Sequence, residues 1–224
     1  MNERLWRILA DAFPKLLSYG VRVTVPLTIL SFALALVIAV VVALIQYAGV
    51  KGLRQLCRFY IWIIRGTPLL VQLWLVFYGL PSAGILIDAF PAAVLVFGFN
   101  EGAYMAESVR GALESVSRGQ LEAGYCVGMS YMQIMWHVVL PQAFRTAFPA
   151  LSNSLISMLK GTSLASTITV MEMFRQATVI NGRVYESLGL YTEVALIYLA
   201  FCTILTWLQR LGERKLASYG GEKA

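Results

Sequence analysis

Charge is scarce in this chain: 13% of its 224 residues are Asp, Glu, Lys or Arg, against 58% hydrophobic. With a mean hydropathy of +0.70, that balance excludes an ordinary soluble domain and indicates an integral membrane protein. Histidine occurs once, at His137, and the three cysteines (Cys57, Cys126, Cys202) show no metal-ligand spacing, so no metal site is expected. No catalytic triad or nucleophile with its base can be assembled, which leaves no catalytic residue to assign and argues against a membrane-embedded enzyme. A G-x-x-x-x-G-K-[ST] loop is also absent, so the chain does not cradle nucleotide phosphates by that route.

What is present is a series of long apolar runs. Val23 to Val50 carries no charge and exceeds the roughly 20 apolar residues that a span needs. Gly66 to Ile87 is a second uncharged run, with its helix starting earlier, near Arg58. A third span covers about 85–110, interrupted by Asn100, Glu101 and Glu107. The fourth covers about 148–170 with Lys160 near its middle, and the fifth runs from about Glu193 to Gln209. The expected architecture is all-α and integral to the membrane: one domain over 1–224 with five transmembrane helices.

The net charge of +6 sits at the segment ends, which reads as topology and not as nucleic-acid binding. Lys51, Arg54 and Arg58 lie between spans 1 and 2. Arg110, Arg118 and Arg145 flank the 3–4 connection, and Arg210, Arg214, Lys215 and Lys223 follow span 5. This places the amino terminus outside and the carboxyl terminus in the cytosol, with no cysteine facing outside to form a disulfide. Arg4, Arg7 and Lys15 oppose that orientation. Leu5, Ile8, Leu9, Phe13, Leu16 and Leu17 recur at helical spacing, so an interfacial helix over 1–18 reconciles the two.

Residues 117–141 form a polar segment between spans 3 and 4. Ser117 with Gln120 and Ser130 with Gln133 read as two capping boxes opening two short helices. Gly128 is placed to end the first, and Pro141 to limit the second. Gly124 and Gly128 stand four apart and predict a bare backbone face, suited to close approach by another protein. Each glycine costs a helix about 1 kcal/mol, so a mere connector has no use for them.

Glu122-Ala123-Gly124, then Gly128, then Leu140-Pro141-Gln142-Ala143 resemble the cytosolic coupling pattern of ATP-binding-cassette importer permeases, with Gly124 in place of the second alanine. Arg65-Gly66-Thr67-Pro68-Leu69 with Gln72, Asn100 to Glu107 with Arg110, Pro149 to Ser154, and Lys160-Gly161-Thr162-Ser163-Leu164 extend the likeness over nearly the whole chain. It resembles the branch serving polar amino acids, and within it the cystine permeases through Phe77 to Pro81 and Met173 to Ala177. Many relatives carry an acid at the position of Gly161.

The resemblance implies an importer permease fold with a cytosolic coupling helix-turn-helix, in the inner membrane of a prokaryotic cell. Two permease copies, identical or paralogous, pair around a pore within membrane lipid. An extracytoplasmic binding protein delivers a cystine-like or basic or polar amino acid, and Glu122, Ala123, Gly124, Gly128 and Pro141 contact a cytosolic ATPase dimer. No cofactor is expected on this chain; ATP and Mg belong to the ATPase, and no nucleic acid is involved. The rival reading is a stand-alone secondary amino-acid carrier or channel, which requires a larger bundle or an internal repeat.

Ionisable groups near the bilayer centre cost about 2.5–3.5 kcal/mol each, so those present need a reason. Lys160 lies about eleven residues past Pro149, roughly 17 Å at the helical rise. Asn153, Ser157 and Lys160 share a stripe on helix 4, while Asn100, Tyr104 and Glu107 share a face on helix 3. A zwitterionic amino acid needs an anion for its ammonium and donors for its carboxylate. Glu101 or Glu107 is assigned to the ammonium, with Asn100 and Tyr104 beside them, and Lys160, Thr162 and Ser163 to the carboxylate. Two competing pairings stand beside that assignment: Glu107 with Arg110 one turn on, and Lys160 with a helix-3 glutamate.

Overall fold

The computed structural model describes residues 3–218, all of whose regular elements are helical. Ten α-helices follow in order: α1 Glu3–Tyr19, α2 Val25–Ala48, α3 Lys51–Gly66, α4 Leu69–Trp74, α5 Ala89–Ser115, α6 Arg118–Cys126, α7 Tyr131–Ile134, α8 Leu140–Gly161, α9 Met173–Val184 and α10 Ser187–Ser218. Single π or 3₁₀ turns join several of them. The five spans are α1–α2, the α3–α4 pair, α5, α8 and α10. Lys223 and the first two residues of the 1–18 segment lie outside the described residues.

The first span is one continuous helix, Glu3–Ala48, with a π turn over Gly20–Thr24 and no break. The expected separate helix over 1–18 is therefore the leading half of this element, docked on α9 and α10 through Ala12 and Leu16. α2 and α5 form the central pair. Ala35, Ala39 and Ala43 on α2 are fully buried, as are Ala103 and Ala106 on α5. A Cβ at Gly98 would lie 2.5 Å from Leu34, and one at Gly102 3.0 Å from Ile38. Small residues on both helices let the backbones approach, which is how helices associate in lipid without a hydrophobic drive between them.

Span 2 is broken at Arg65–Pro68, a segment whose proline predicts a kink at the cytosolic side of helix 2: the kink is there, but deeper in the bundle. α3 and α4 bend by 102° across Thr67-Pro68. Both residues are extended, which the proline ring favours for its predecessor Thr67. The Tyr60 hydroxyl donates to the Phe99 carbonyl at 2.6 Å, and the Asn100 amide donates to Gln72 Oε1 at 3.0 Å. Phe99 and Asn100 sit in the middle of the 27-residue α5, so the break lies at mid-depth in the bundle.

Pro141 does not limit the second polar helix. α7 passes through a π turn, Met135–Val139, straight into α8. The wider turn absorbs the donor that proline lacks, so residues 131–161 form one long helix. α8 ends at Gly161 and tightens into a 3₁₀ helix over Thr162–Ile168, followed by Thr169 at φ 70°. α9 fills the 4–5 connection, and α10 begins at Ser187, six residues before the expected Glu193; neither was evident from hydropathy. Glu172 caps α9, its carboxylate accepting from Phe174 N–H at 2.8 Å and Arg175 N–H at 2.6 Å.

Candidate functional site

The polar residues of α5 divide by direction. Asn100 is 7% exposed and its amide is spent on Gln72, whose own amide donates to the Ile64 carbonyl at 2.8 Å and Thr67 Oγ1 at 2.7 Å. Asn100 thus ties the α3–α4 break to α5. Glu107 takes the pairing with Arg110: Nη2 to Oε2 is 2.8 Å, while Arg110 Nη1 holds Glu114 at 2.7 Å. Glu101 faces α8, beside Ser154. Tyr104 is exposed, with the Arg65 guanidinium 5.0 Å above its ring centroid.

On α8, Asn153, Ser157 and Lys160 form the exposed stripe that their spacing predicts. The alternative pairing of Lys160 with a helix-3 glutamate is not made: among the described residues Lys160 has no ion pair, and its charge is felt by Cys202 of α10. Thr162 is fully buried and donates to the Leu159 carbonyl at 2.7 Å; Ser163 donates to the Lys160 carbonyl at 2.9 Å. Tyr104 and Lys160 are exposed and Glu101 is half-buried against α8, whereas Asn100, Glu107 and Thr162 are already engaged. Two participants were missed. Arg65 and Gln72 belong to a segment singled out for its likeness, but hydropathy placed Arg65 at a membrane edge.

Residues 117–141 form a hairpin whose two arms differ from expectation at Ser117 and at Gly124. The Ser130 box is complete, with Ser130 N–H to Gln133 Oε1 at 2.8 Å and Gln133 N–H to Ser130 Oγ at 3.4 Å. Ser117 makes no side-chain cap; only its carbonyl accepts, from Gln120 N–H. Gly124 points inward, and a Cβ there would lie 2.7 Å from Ile134 Cγ1. Its glycine thus serves the contact between the two arms and does not bare backbone to a partner. Gly128, at φ 80°, ends α6 as expected. The outer face carries Glu122 and Ala123, flanked by Tyr125, Val127, Met132 and Trp136, with Val127 76% and Trp136 63% exposed. These side chains form an exposed apolar patch on an otherwise polar segment.

Residues 35–218 match the family model described as binding-protein-dependent transport system inner membrane component. The chain belongs to that family. Over 96% of its length this permease is 44% identical to the L-cystine transport system permease protein TcyB of Bacillus subtilis (strain 168), covering 92% of it. It is 41% identical to the probable amino-acid ABC transporter permease protein PatM of Vibrio harveyi, over 92% of this chain and 93% of that one. A solved amino acid ABC transporter with histidines superposes with a TM-score of 0.81 at 32% identity, covering 95% of each chain. The permease is thus the membrane subunit of an ABC importer and not a stand-alone carrier. ATP hydrolysis falls to a separate subunit, and a binding protein presents the cargo.

Proposed function

We propose that the permease forms the translocation pathway for a polar amino acid of the cystine type, with its amino terminus outside and its carboxyl terminus in the cytosol. The relatedness to a cystine permease supports the cargo, and the Lys/Arg distribution supports the orientation. Two copies pair so that the open faces of α5 and α8 look into a shared passage. Glu101 receives the cargo ammonium, because Glu107 is held by Arg110. Lys160 receives a carboxylate, with the Tyr104 hydroxyl as a second donor; Ser163 would have to turn its hydroxyl from the Lys160 carbonyl to join them. Asn100, Glu107 and Thr162 shape this site from behind.

The single observation carrying the reading is the Lys160 ammonium on an open face of a spanning helix, without a partnering carboxylate among the described residues. Such a charge is costly unless a ligand or a water-filled passage meets it. The outer face of α6 and α7, with Glu122, Ala123, Tyr125 and Trp136, seats in the ATPase. Nucleotide-driven movement of that hairpin reaches the passage directly, because α7 continues into α8 without a joint. The test is competition of radiolabelled uptake among cystine, arginine, histidine and glutamine by the reconstituted complex. Cystine is expected to compete best; uptake indifferent to cystine would remove the cargo assignment.

A further inference from the structure

Arg65 is the top of a ladder. Arg54, Arg58 and Arg65 follow one another at intervals of four and seven, so all three leave α3 on one narrow arc. They line a groove of about 330 Å³ whose other walls include Gln46 of α2 and Glu107 and Arg110 of α5. Both carboxylates within reach, Glu107 and Glu114, are bound by Arg110. Among the described residues Arg54, Arg58 and Arg65 make no ion pair. Gln46 is 8% exposed, and its Nε2 approaches Glu107 without forming a hydrogen bond of good geometry. A buried amide donor left unmatched beside three unpaired guanidinium groups is a donor set lacking only its acceptor, and the matching acceptor is an oxyanion.

The groove adjoins the central cluster. Arg65 rests on the ring of Tyr104, which borders the face carrying Glu101. From there the arginines descend α3 away from the mid-depth break. We propose that this groove is a second oxyanion site of the permease, which takes the cargo carboxylate as it leaves the central cluster. The inference rests on the transport reading above. A lipid phosphate shares the same chemistry, but the groove is walled mainly by polar atoms and offers no bed for an acyl chain.

The test uses the complete complex of permease, ATPase and binding protein in proteoliposomes, with radiolabelled cystine, made with and without phosphatidylglycerol. The readout is cystine taken up per ATP hydrolysed. For the double variant Arg54→Gln, Arg58→Gln this ratio is expected to fall about tenfold in both lipid mixtures, the scale of one lost charge-assisted contact. Arg58→Lys alone, which keeps the charge, should retain most of it. An unchanged ratio in the double variant would overturn the proposal. So would a fall confined to vesicles containing phosphatidylglycerol, which would assign the groove to lipid. Loss of ATP hydrolysis in the double variant alone would also overturn it, by showing that the arginines serve assembly. A wild-type complex whose hydrolysis ignores the cystine-loaded binding protein would instead contradict the transport reading itself.

Discussion

The Asn100 amide donates to Gln72 Oε1 at 3.0 Å across the 102° break between α3 and α4. Without that bond, a mid-depth break exposes backbone carbonyls that lipid cannot satisfy. Gln72 closes it with the two N–H groups of its amide, shared among Ile64 O, Thr67 O and Thr67 Oγ1. Replacing Gln72 with Leu, which fills the volume but donates nothing, is expected to cost about 1–3 kcal/mol. Thermal unfolding of the purified subunit checks this, and an unchanged midpoint would show that the break needs no fastening.

Gly124 should tolerate no side chain while Ile134 stands opposite. Gly124→Val is expected to push the hairpin arms apart at a cost of about 1–3 kcal/mol and to uncouple hydrolysis from uptake. Shortening the neighbour in Gly124→Ala, Ile134→Ala should restore coupling relative to Gly124→Ala. If the paired change rescues nothing, the glycine is there for a partner, as its position first suggests.

Glu172 gives the protein a pH dependence from the 4–5 connection, outside the spans. Burial pushes its carboxyl up from 4.5 to about 7, against hydrogen bonds from Phe174, Arg175 and Tyr198 that pull it down. A carboxyl raised on folding contributes stability below its unfolded value, and this is lost as pH climbs toward 7. The loss is on the order of 3 kcal/mol. Unfolding midpoints measured between pH 4.5 and 7.5 should therefore fall in the wild type, and Glu172→Gln should flatten that slope. Parallel slopes would place the dependence elsewhere.

Within the passage, Lys160→Met and Glu101→Gln are each expected to lower uptake at least tenfold, the scale of one charged contact, while the ATPase still assembles. Glu107→Gln should act more weakly on uptake and more strongly on thermal stability, because its partner is Arg110. Normal uptake in both of the first two variants would discard the site.

The spans, the polar hairpin and its Ser130 box were legible because hydropathy and capping are local properties. Other features depended on neighbours that no local pattern identifies. Gly124 is a glycine because of Ile134, ten residues on, and Asn100 is engaged because α4 returns to meet it. Pro141 resembles a terminator until a π turn supplies the slack. Pro68 signals a bend, but not its depth, so Arg65 reads as a membrane-edge residue although it lies against Tyr104 of α5. α9 escaped notice because its cap is Glu172, not one of the Ser, Thr, Asp or Asn residues that usually mark a helix start.

The hairpin carries its own probe. Cys126 is exposed on it, whereas Cys57 is buried and Cys202 is half-buried. A membrane-impermeant maleimide should label Cys126 in inverted vesicles and not in right-side-out ones, and a bound ATPase should block the reaction. Labelling from the external side, or labelling in inverted vesicles that the ATPase leaves untouched, would contradict the assignment of residues 117–141 as the cytosolic contact through which hydrolysis drives this permease.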